Sequence, residues 1–136
     1  METTVRNGKV IALISGTEAI ITDAQSALDL LMRAKYDAGT DLLVVEKSAI
    51  TEDFFVLSTG LAGEVLQKFI NYNGKIAIYG DFSGYTSKPL HDFIYESNQG
   101  KDVFFASTQE EAIDRLAQIH EHTSMADGWN GVIEES

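Results

Sequence analysis

Apolar residues recur along the chain in two different patterns, and their alternation predicts an α/β fold. Residues 10–14, 42–45, 76–79 and 103–106 are apolar almost throughout, as in the buried strands of a parallel sheet. Between these runs, apolar residues recur at the three- and four-residue spacing of amphipathic helices. Near the N-terminus, Asn7-Gly8 is a dipeptide that favours a tight hairpin turn. We therefore expect about five strands, mostly parallel, in the order β-β-α-β-α-β-α-β-α.

Helix ends are marked by capping residues and glycines. Thr22 and Gln25 fit a capping box at the start of the first helix, and Thr108 and Glu111 fit another at the fourth. Ser87 is placed to cap the third helix, just before Pro89. Three glycines mark the expected C-termini of the first three helices: Gly39, Gly74 and Gly100.

Composition bounds the chain to one compact domain. The 136 residues are 44% hydrophobic, which is enough for a core, and we place the domain at 1–122 with a flexible tail at 123–136 that includes Trp129. No cysteine is present, which excludes disulfides, thiol catalysis and cysteine zinc sites. With no apolar run long enough for a membrane span and no signal-peptide pattern, the expected location is the cytoplasm.

The charge is strongly negative: 21 acidic and 10 basic residues give a net charge of −11. Nucleic acid and anionic membranes are therefore not expected partners. Solubility is the simplest explanation of the charge. Two more specific explanations are an acidic surface that binds a basic protein and an acidic decoy that mimics nucleic acid. The acidic residues are, however, dispersed along the sequence.

Two hydroxyls stand just before the predicted second helix, after a connector at 46–57 that Phe54 and Phe55 anchor to the core. Ser58 and Thr59 are candidate phosphoacceptors, because a helix N-terminus partly offsets added negative charge. An ordinary cap, in which a hydroxyl satisfies a free backbone N–H, is the alternative.

A second set of polar residues follows the strand at 76–79. In open α/β sheets, ligands bind outside the carboxyl ends of the strands, so this set and the Ser58 turn are expected at one rim. Asp92 and Glu96 share a helix face, where paired carboxylates can hold a cation or transfer protons. A solvated helix face is the alternative. The candidate interaction or ligand-binding residues are Gly60, Glu64, Asp81, Ser83, Tyr85, Ser87, Lys88, Asp92, Glu96 and Asn98.

No catalytic, metal or cofactor site is predicted. The serine in 80–84 stands one place too late for a Gly-x-Ser-x-Gly nucleophile elbow. His120 and His122 are two residues apart near a helix end, which splits their side chains across faces rather than converging on a metal. His91 has no evident nucleophile neighbour, and no glycine-rich nucleotide loop is found.

The element order resembles that of the STAS domain, the fold of anti-anti-sigma factors. In that family a Ser-Ser-Gly-Leu-like turn precedes the second helix and its serine is the regulatory phosphoacceptor; Ser58-Thr59-Gly60-Leu61 stands at that place here, after Leu57. The resemblance implies that Ser58 is the acceptor.

Over residues 5–118 the chain is also similar to domain-of-unknown-function family 4180, small bacterial proteins without an assigned activity. That similarity lies in Thr59-Gly60-Leu61-Ala62-Gly63-Glu64, in Gly80-Asp81-Phe82-Ser83 and in 92–98, among other segments.

Three functions follow as hypotheses. The first is a non-enzymatic regulatory module that binds a protein partner and is switched by phosphorylation at Ser58; homodimerisation is left open. The second is a small-molecule binder or modest enzyme that uses Asp81, Ser83, Asp92 and Glu96. The third is an acidic decoy of a nucleic-acid-binding protein.

Overall fold

The computed structural model describes residues 1–118, whose strands form one five-stranded sheet. The strands are β1 (Thr3–Arg6), β2 (Lys9–Ile14), β3 (Leu42–Glu46), β4 (Lys75–Tyr79) and β5 (Val103–Ala106). They lie side by side in chain order; β1 is antiparallel to β2 and the other pairs are parallel. Asn7 and Gly8 have positive φ and form the turn between β1 and β2. The predicted α/β class, N-terminal hairpin and mostly parallel sheet are confirmed.

Four α-helices occur in the described residues, and they divide unequally between the two faces of the sheet. They are α1 (Ala24–Arg33), α2 (Leu61–Asn71), α3 (Lys88–Gln99) and α4 (Gln109–Ala117). Leu43 and Val45 of β3 belong to the core cluster that α1, α2 and α3 cover, whereas Leu42 and Val44 belong to the cluster under α4. Successive right-handed crossovers that advance the sheet in one direction place their helices on one face, so the other face is left to α4.

Helix α4 connects the two edges of the sheet, because it contacts both β5 and β1. It packs across the sheet from β5 to β1, where Arg6 forms ion pairs with Glu110 at 3.1 Å and with Asp114 at 2.5 Å. The Asn7 side chain donates a hydrogen bond to the carbonyl of Ala117 at 3.4 Å. The hairpin is thereby held against a helix about one hundred residues further along the chain.

The start of α1 lies one residue later than predicted. The capping box is formed by Asp23 and Ser26 rather than by Thr22 and Gln25. The Asp23 carboxylate accepts a hydrogen bond from the Ser26 N–H at 2.7 Å, and the Ser26 hydroxyl accepts one from the Asp23 N–H at 3.0 Å. The carboxylate is favoured there because it is a charged acceptor at the positive end of the helix dipole. Gln25 donates instead to Asp29.

Glycines end the first two helices for different reasons. After α1 the chain makes one π-helical turn, Ala34–Ala38, which the sequence pattern did not predict, and stops at Gly39 with φ 64°. Gly74 follows α2, and a Cβ there would lie 2.7 Å from a methyl carbon of Leu31 and 2.9 Å from the ring of Phe69. Gly39 is needed for a left-handed backbone, and Gly74 for the close approach of the loop to α1.

The connector after β3 is more regular than expected, since it consists of three short 3₁₀ turns: Lys47–Ala49, Glu52–Phe55 and Leu57–Thr59. Phe54 and Phe55 are buried in the core as predicted. The expected N-caps of α3 and α4 are confirmed: the hydroxyl of Ser87 accepts from the Leu90 N–H, and that of Thr108 from the Glu111 N–H. The predicted capping box at α4 is only half formed, because the Glu111 carboxylate accepts hydrogen bonds from Ser107 rather than from the Thr108 N–H.

Several predictions concern residues that the structure does not describe. Residues 1–118 make up most of the expected domain 1–122. His120, His122 and the expected tail at 123–136 with Trp129 lie outside the described residues.

Candidate functional site

The loops after β3 and β4 meet around Tyr85, at the carboxyl edge of the sheet. The ring of Tyr85 stacks on that of Phe55, with centroids 5.5 Å apart, and the Lys47 ammonium lies 5.0 Å from the Tyr85 centroid. The Tyr85 hydroxyl donates a hydrogen bond to Glu52, and the Lys47 ammonium is 3.8 Å from the same carboxylate. We call Lys47, Glu52, Phe55 and Tyr85 the Tyr85 cluster; it joins loop 80–87 to segment 47–55.

The electrostatics of the Tyr85 cluster suit a structural role, in which the cluster holds loop 80–87 in place, better than a role in acid–base catalysis. Burial raises the pKa of Tyr85, and the hydrogen bond to Glu52 raises it further. A hydrogen bond with Tyr85 raises the pKa of Lys47. At neutral pH the cluster therefore contains a neutral phenol and a charged ammonium. A lysine with a raised pKa is a poor nucleophile, and a phenol with a raised pKa is a poor general base.

Ser58 and Thr59 use their hydroxyls differently. The Thr59 hydroxyl lies 2.9 Å from the carbonyl oxygens of Asp53 and Val56, to which it donates, and it accepts a hydrogen bond from the Leu61 N–H at 3.2 Å. Thr59 therefore stabilises the turn and the start of α2. Ser58 is exposed, and within residues 1–118 its hydroxyl makes no hydrogen bond. Only Ser58 of the two thus presents a hydroxyl that is not used by the fold.

Ser58 lies on the wall of a cavity of about 390 Å³, which we call the Ser58 cavity. Tyr85 and Ser87 line the same cavity, together with Phe55 and Pro89. The structure thus brings the Ser58 turn and the loop before α3 together, with the stacked rings of Phe55 and Tyr85 contributing to the lining. Such a concave surface, apolar with hydroxyls on its wall, can receive a side chain or a small ligand.

Asp81 and Ser83 line a different cavity, of about 470 Å³, at the carboxyl ends of β4 and β5. We call it the Asp81 cavity. The Asp81 carboxylate accepts hydrogen bonds from the N–H and the hydroxyl of Ser83, at 2.9 and 2.6 Å, and these bonds lower the pKa of Asp81. On α4, which follows β5, the Glu111 carboxylate accepts two hydrogen bonds of 3.0 Å from the N–H and the hydroxyl of Ser107. These bonds lower the pKa of Glu111. Both carboxylates are therefore charged at neutral pH.

The predicted residues of α3 line neither of these cavities. Lys88 and Asp92 form an exposed ion pair of 2.7 Å along the helix, and Glu96 is exposed one turn further on. The Asn98 side chain is bonded to the backbone of Phe105 and so joins α3 to β5. These four side chains are not part of one site with Ser58 or Asp81.

Gly60 and Glu64 belong to a third surface. Gly60 is the N-cap of α2, with φ 79°, and carries no side chain to cap the helix. With Glu64, Lys68 and Ala24 it lines a groove of about 570 Å³ between α1 and α2. The predicted rim is therefore divided among three separate concave surfaces.

Sequence reasoning missed Lys47, Glu52, Ser107 and Glu111 as site residues. Lys47 and Glu52 lie in the connector, and they join Tyr85 only because the sheet aligns the carboxyl ends of β3 and β4. Glu111 was assigned to the capping box of α4, and Ser107 was given no role. The position of both pairs just after buried strands was the available signal.

Among residues 1–118, no group of three or more histidine, aspartate and glutamate side chains is arranged to hold a metal ion. The ring of His91 lies 2.6 Å from the carbonyl oxygen of Tyr85, so it contacts loop 80–87 rather than a nucleophile. In the same part of the chain, the helices are too short or too polar to cross a bilayer.

Comparison with known proteins gives a family and nothing more specific. No curated protein matches the chain, and no solved structure does. A family model described as "Domain of unknown function (DUF4180)" matches residues 6–116, which run from the end of β1 almost to the end of α4. The matched residues include the Ser58 turn, the Tyr85 cluster, and the residues that line the Ser58 cavity and the Asp81 cavity. The chain therefore belongs to the DUF4180 family.

Proposed function

We propose that this chain is a non-enzymatic regulatory module of the bacterial cytoplasm that binds a protein partner through the rim of the Ser58 cavity. Phosphorylation of Ser58 is proposed to control that binding. The observation that carries the proposal is the position of Ser58: its hydroxyl is exposed, unbonded within residues 1–118, and placed on a cavity wall that it shares with Tyr85 and Ser87.

Apolar exposure beside the serine supports a protein partner. Val56 is 46% exposed, and Leu57 and Tyr85 are half-buried at the same cavity. A buried apolar anchor surrounded by a polar rim is the usual composition of a protein interface. The Tyr85 cluster keeps the loop side of this surface in place, which reduces the ordering cost of binding.

A phosphate on Ser58 would change the charge of this surface. It adds about −1.5 to −2 charges. The chain already carries −11, and the exposed acids Glu52 and Asp53 are close in sequence. An acidic partner surface would then be repelled, and an apolar one would have to desolvate the phosphate at an unfavourable cost, whereas a basic surface would be attracted.

The resemblance to STAS domains supports the same assignment. The hairpin is followed by alternating helices and strands in sheet order β1-β2-β3-β4-β5, and Ser58 precedes α2. In STAS domains the regulatory serine stands in the turn before the second helix. We infer a STAS-like role for Ser58 from this shared position.

Site-specific photo-crosslinking in cells of the source organism tests the docking face. A photoreactive phenylalanine replaces Val56 at the cavity rim or, as a control, Thr3 on the exposed edge strand β1. We expect one discrete crosslinked partner from position 56 and none from position 3. Equal crosslinking from both positions, or none from position 56, contradicts the proposed face.

The switch is tested separately in the same assay. Ser58→Glu is expected to change the yield of the position-56 crosslink at least severalfold, while Thr3→Glu, which adds the same charge on β1, leaves it unchanged. Phosphopeptide mass spectrometry should find phosphate on Ser58 and not on Thr59. If crosslinking persists but Ser58 carries no phosphate and Ser58→Glu has no effect, the docking face stands and the switch is wrong.

A further inference from the structure

We propose that the Asp81 cavity binds a small organic cation, an ammonium group carried on an apolar body. This site is separate from the Ser58 cavity and does not depend on the proposed protein partner. It lies outside the carboxyl ends of β4 and β5, where open α/β sheets bind their ligands.

The floor of the cavity is apolar and aromatic. Phe82 and Phe105 meet edge to face, with ring centroids 5.6 Å apart and planes at 81°, and Ile94 completes the floor. Phe105 is only 5% exposed, so the floor is fixed by the core. This surface can bury the carbon body of a ligand, and aromatic faces attract a cation held above them.

The walls supply two carboxylates that form no ion pair within residues 1–118. Both hydrogen bonds to Asp81 end on Oδ1, and both to Glu111 end on Oε1. Oδ2 of Asp81 and Oε2 of Glu111 therefore have no hydrogen bond within residues 1–118. Neither carboxylate belongs to any ion pair found in that part of the chain. Lys47 lies close enough to Asp81, and Arg115 close enough to Glu111, to lower the pKa of each carboxylate, but neither cation is within ion-pair distance of it.

These features select among ligand classes. Two charged carboxylates repel an anion, and a neutral ligand would gain no attraction from their charge. An ammonium group satisfies a free carboxylate oxygen while its apolar body covers the floor. The net charge of −11 adds a general attraction for cations, so the test must separate binding in the cavity from attraction to the whole surface.

Amide NMR spectra recorded during titration of the full chain with 2-phenylethylammonium provide the test. We expect saturable shifts confined to the amides around the cavity, Asp81 to Ser83 and Phe105 to Ser107, with millimolar affinity. The neutral analogue 2-phenylethanol should bind at least about threefold more weakly, because it lacks the charge. 3-Phenylpropionate should give no shifts at these amides.

Matched variants assign the effect to the two carboxylates. Asp81→Asn and Glu111→Gln each keep an oxygen acceptor for their serine and are expected to weaken the amine by about threefold. Asp92→Asn removes the same charge from α3, outside the cavity, and should leave the affinity unchanged. The proposal is overturned if amine and alcohol bind equally, if Asp92→Asn weakens binding as much as Asp81→Asn, or if no saturable shift occurs.

Discussion

The side-chain amide of Asn98 forms two hydrogen bonds with the backbone of Phe105: Nδ2 donates to the carbonyl oxygen at 3.3 Å, and Oδ1 accepts from the N–H at 2.8 Å. Phe105 lies on β5, the last strand of the described sheet. The amide thus occupies backbone groups that would otherwise be available to another strand. Sequence reasoning placed Asn98 among candidate binding residues, but its geometry is that of a structural contact.

Removing this amide should destabilise the protein. Asn98→Ala leaves a nearly buried N–H and C=O without partners, and we expect a loss of about 2 kcal/mol in the free energy of unfolding, measured by urea denaturation. Asn71→Ala removes an asparagine that is bonded only to exposed Gln67 on the same helix, and should cost less than about 0.5 kcal/mol. Equal effects of the two substitutions would mean that the Asn98 contact contributes no more to the free energy of unfolding than the exposed contact of Asn71 does.

Two glycine-to-alanine substitutions should have opposite signs. At Gly74 the new methyl would lie within 3 Å of Leu31 and Phe69, so Gly74→Ala is expected to destabilise by about 1–3 kcal/mol. Gly63 is inside α2 with nothing within 4 Å of its Cβ position, so Gly63→Ala should stabilise by about 0.5–1 kcal/mol. Thermal unfolding of the two variants measures both; a stabilising Gly74→Ala would contradict the packing described for α1.

Loss of the Tyr85 hydroxyl should weaken the Tyr85 cluster in a pH-dependent way. Tyr85→Phe keeps the stack on Phe55 but removes the hydroxyl's hydrogen bonds with Glu52 and Lys47, at an expected cost of about 1 kcal/mol at neutral pH. Because the folded pKa of Tyr85 is raised, its contribution is complete below the ordinary tyrosine pKa of about 10 and is lost as pH rises through the folded value. Urea unfolding from neutral to alkaline pH should show the gap between wild type and variant closing. Tyr36→Phe, at a residue 89% exposed, should show no such gap.

The N-cap of α1 should contribute to acid sensitivity. The hydrogen bond from the Ser26 backbone, and then that from its side chain, lower the pKa of Asp23. Its stabilisation is therefore present above the unfolded pKa of about 3.9 and is lost as pH falls through the lower folded value. Asp23→Asn keeps a neutral cap, so its stability should fall less than that of wild type between pH 7 and pH 3. An Asp53→Asn control, at an exposed carboxylate without a hydrogen bond in the described residues, should follow wild type.

Local patterns were sufficient for the fold. Strand runs, the Asn7-Gly8 turn and the glycine stops depend on neighbours in sequence, and all three were predicted. The one-residue shift at α1 reflects two adjacent residues, Thr22 and Asp23, that both suit an N-cap; charge at the helix dipole decides between them. The π-helical turn before Gly39 has no local signature of this kind.

The sites were less predictable because their partners are remote in sequence. Tyr85 is 33 residues from Glu52, and nothing near either residue indicates that they meet. Glu111 lines a cavity with Asp81 only because β4 and β5 are adjacent. Exposed candidates on α3 were selected by residue type, but residue type does not show which cavity, if any, a side chain lines.

The placement of α4 has a consequence for how the chain is made. Strands β1 to β5 can pair in the order in which they leave the ribosome, because each lies beside its predecessor. The face formed by Ile11, Val44 and Phe104 is different, since its cover is the helix at 109–117. During synthesis that face stays uncovered until nearly all of residues 6–116, the region that matches the family model, has emerged from the ribosome. A nascent chain stalled before α4 is thus expected to be a substrate for chaperones, whereas one stalled after it should resist proteolysis.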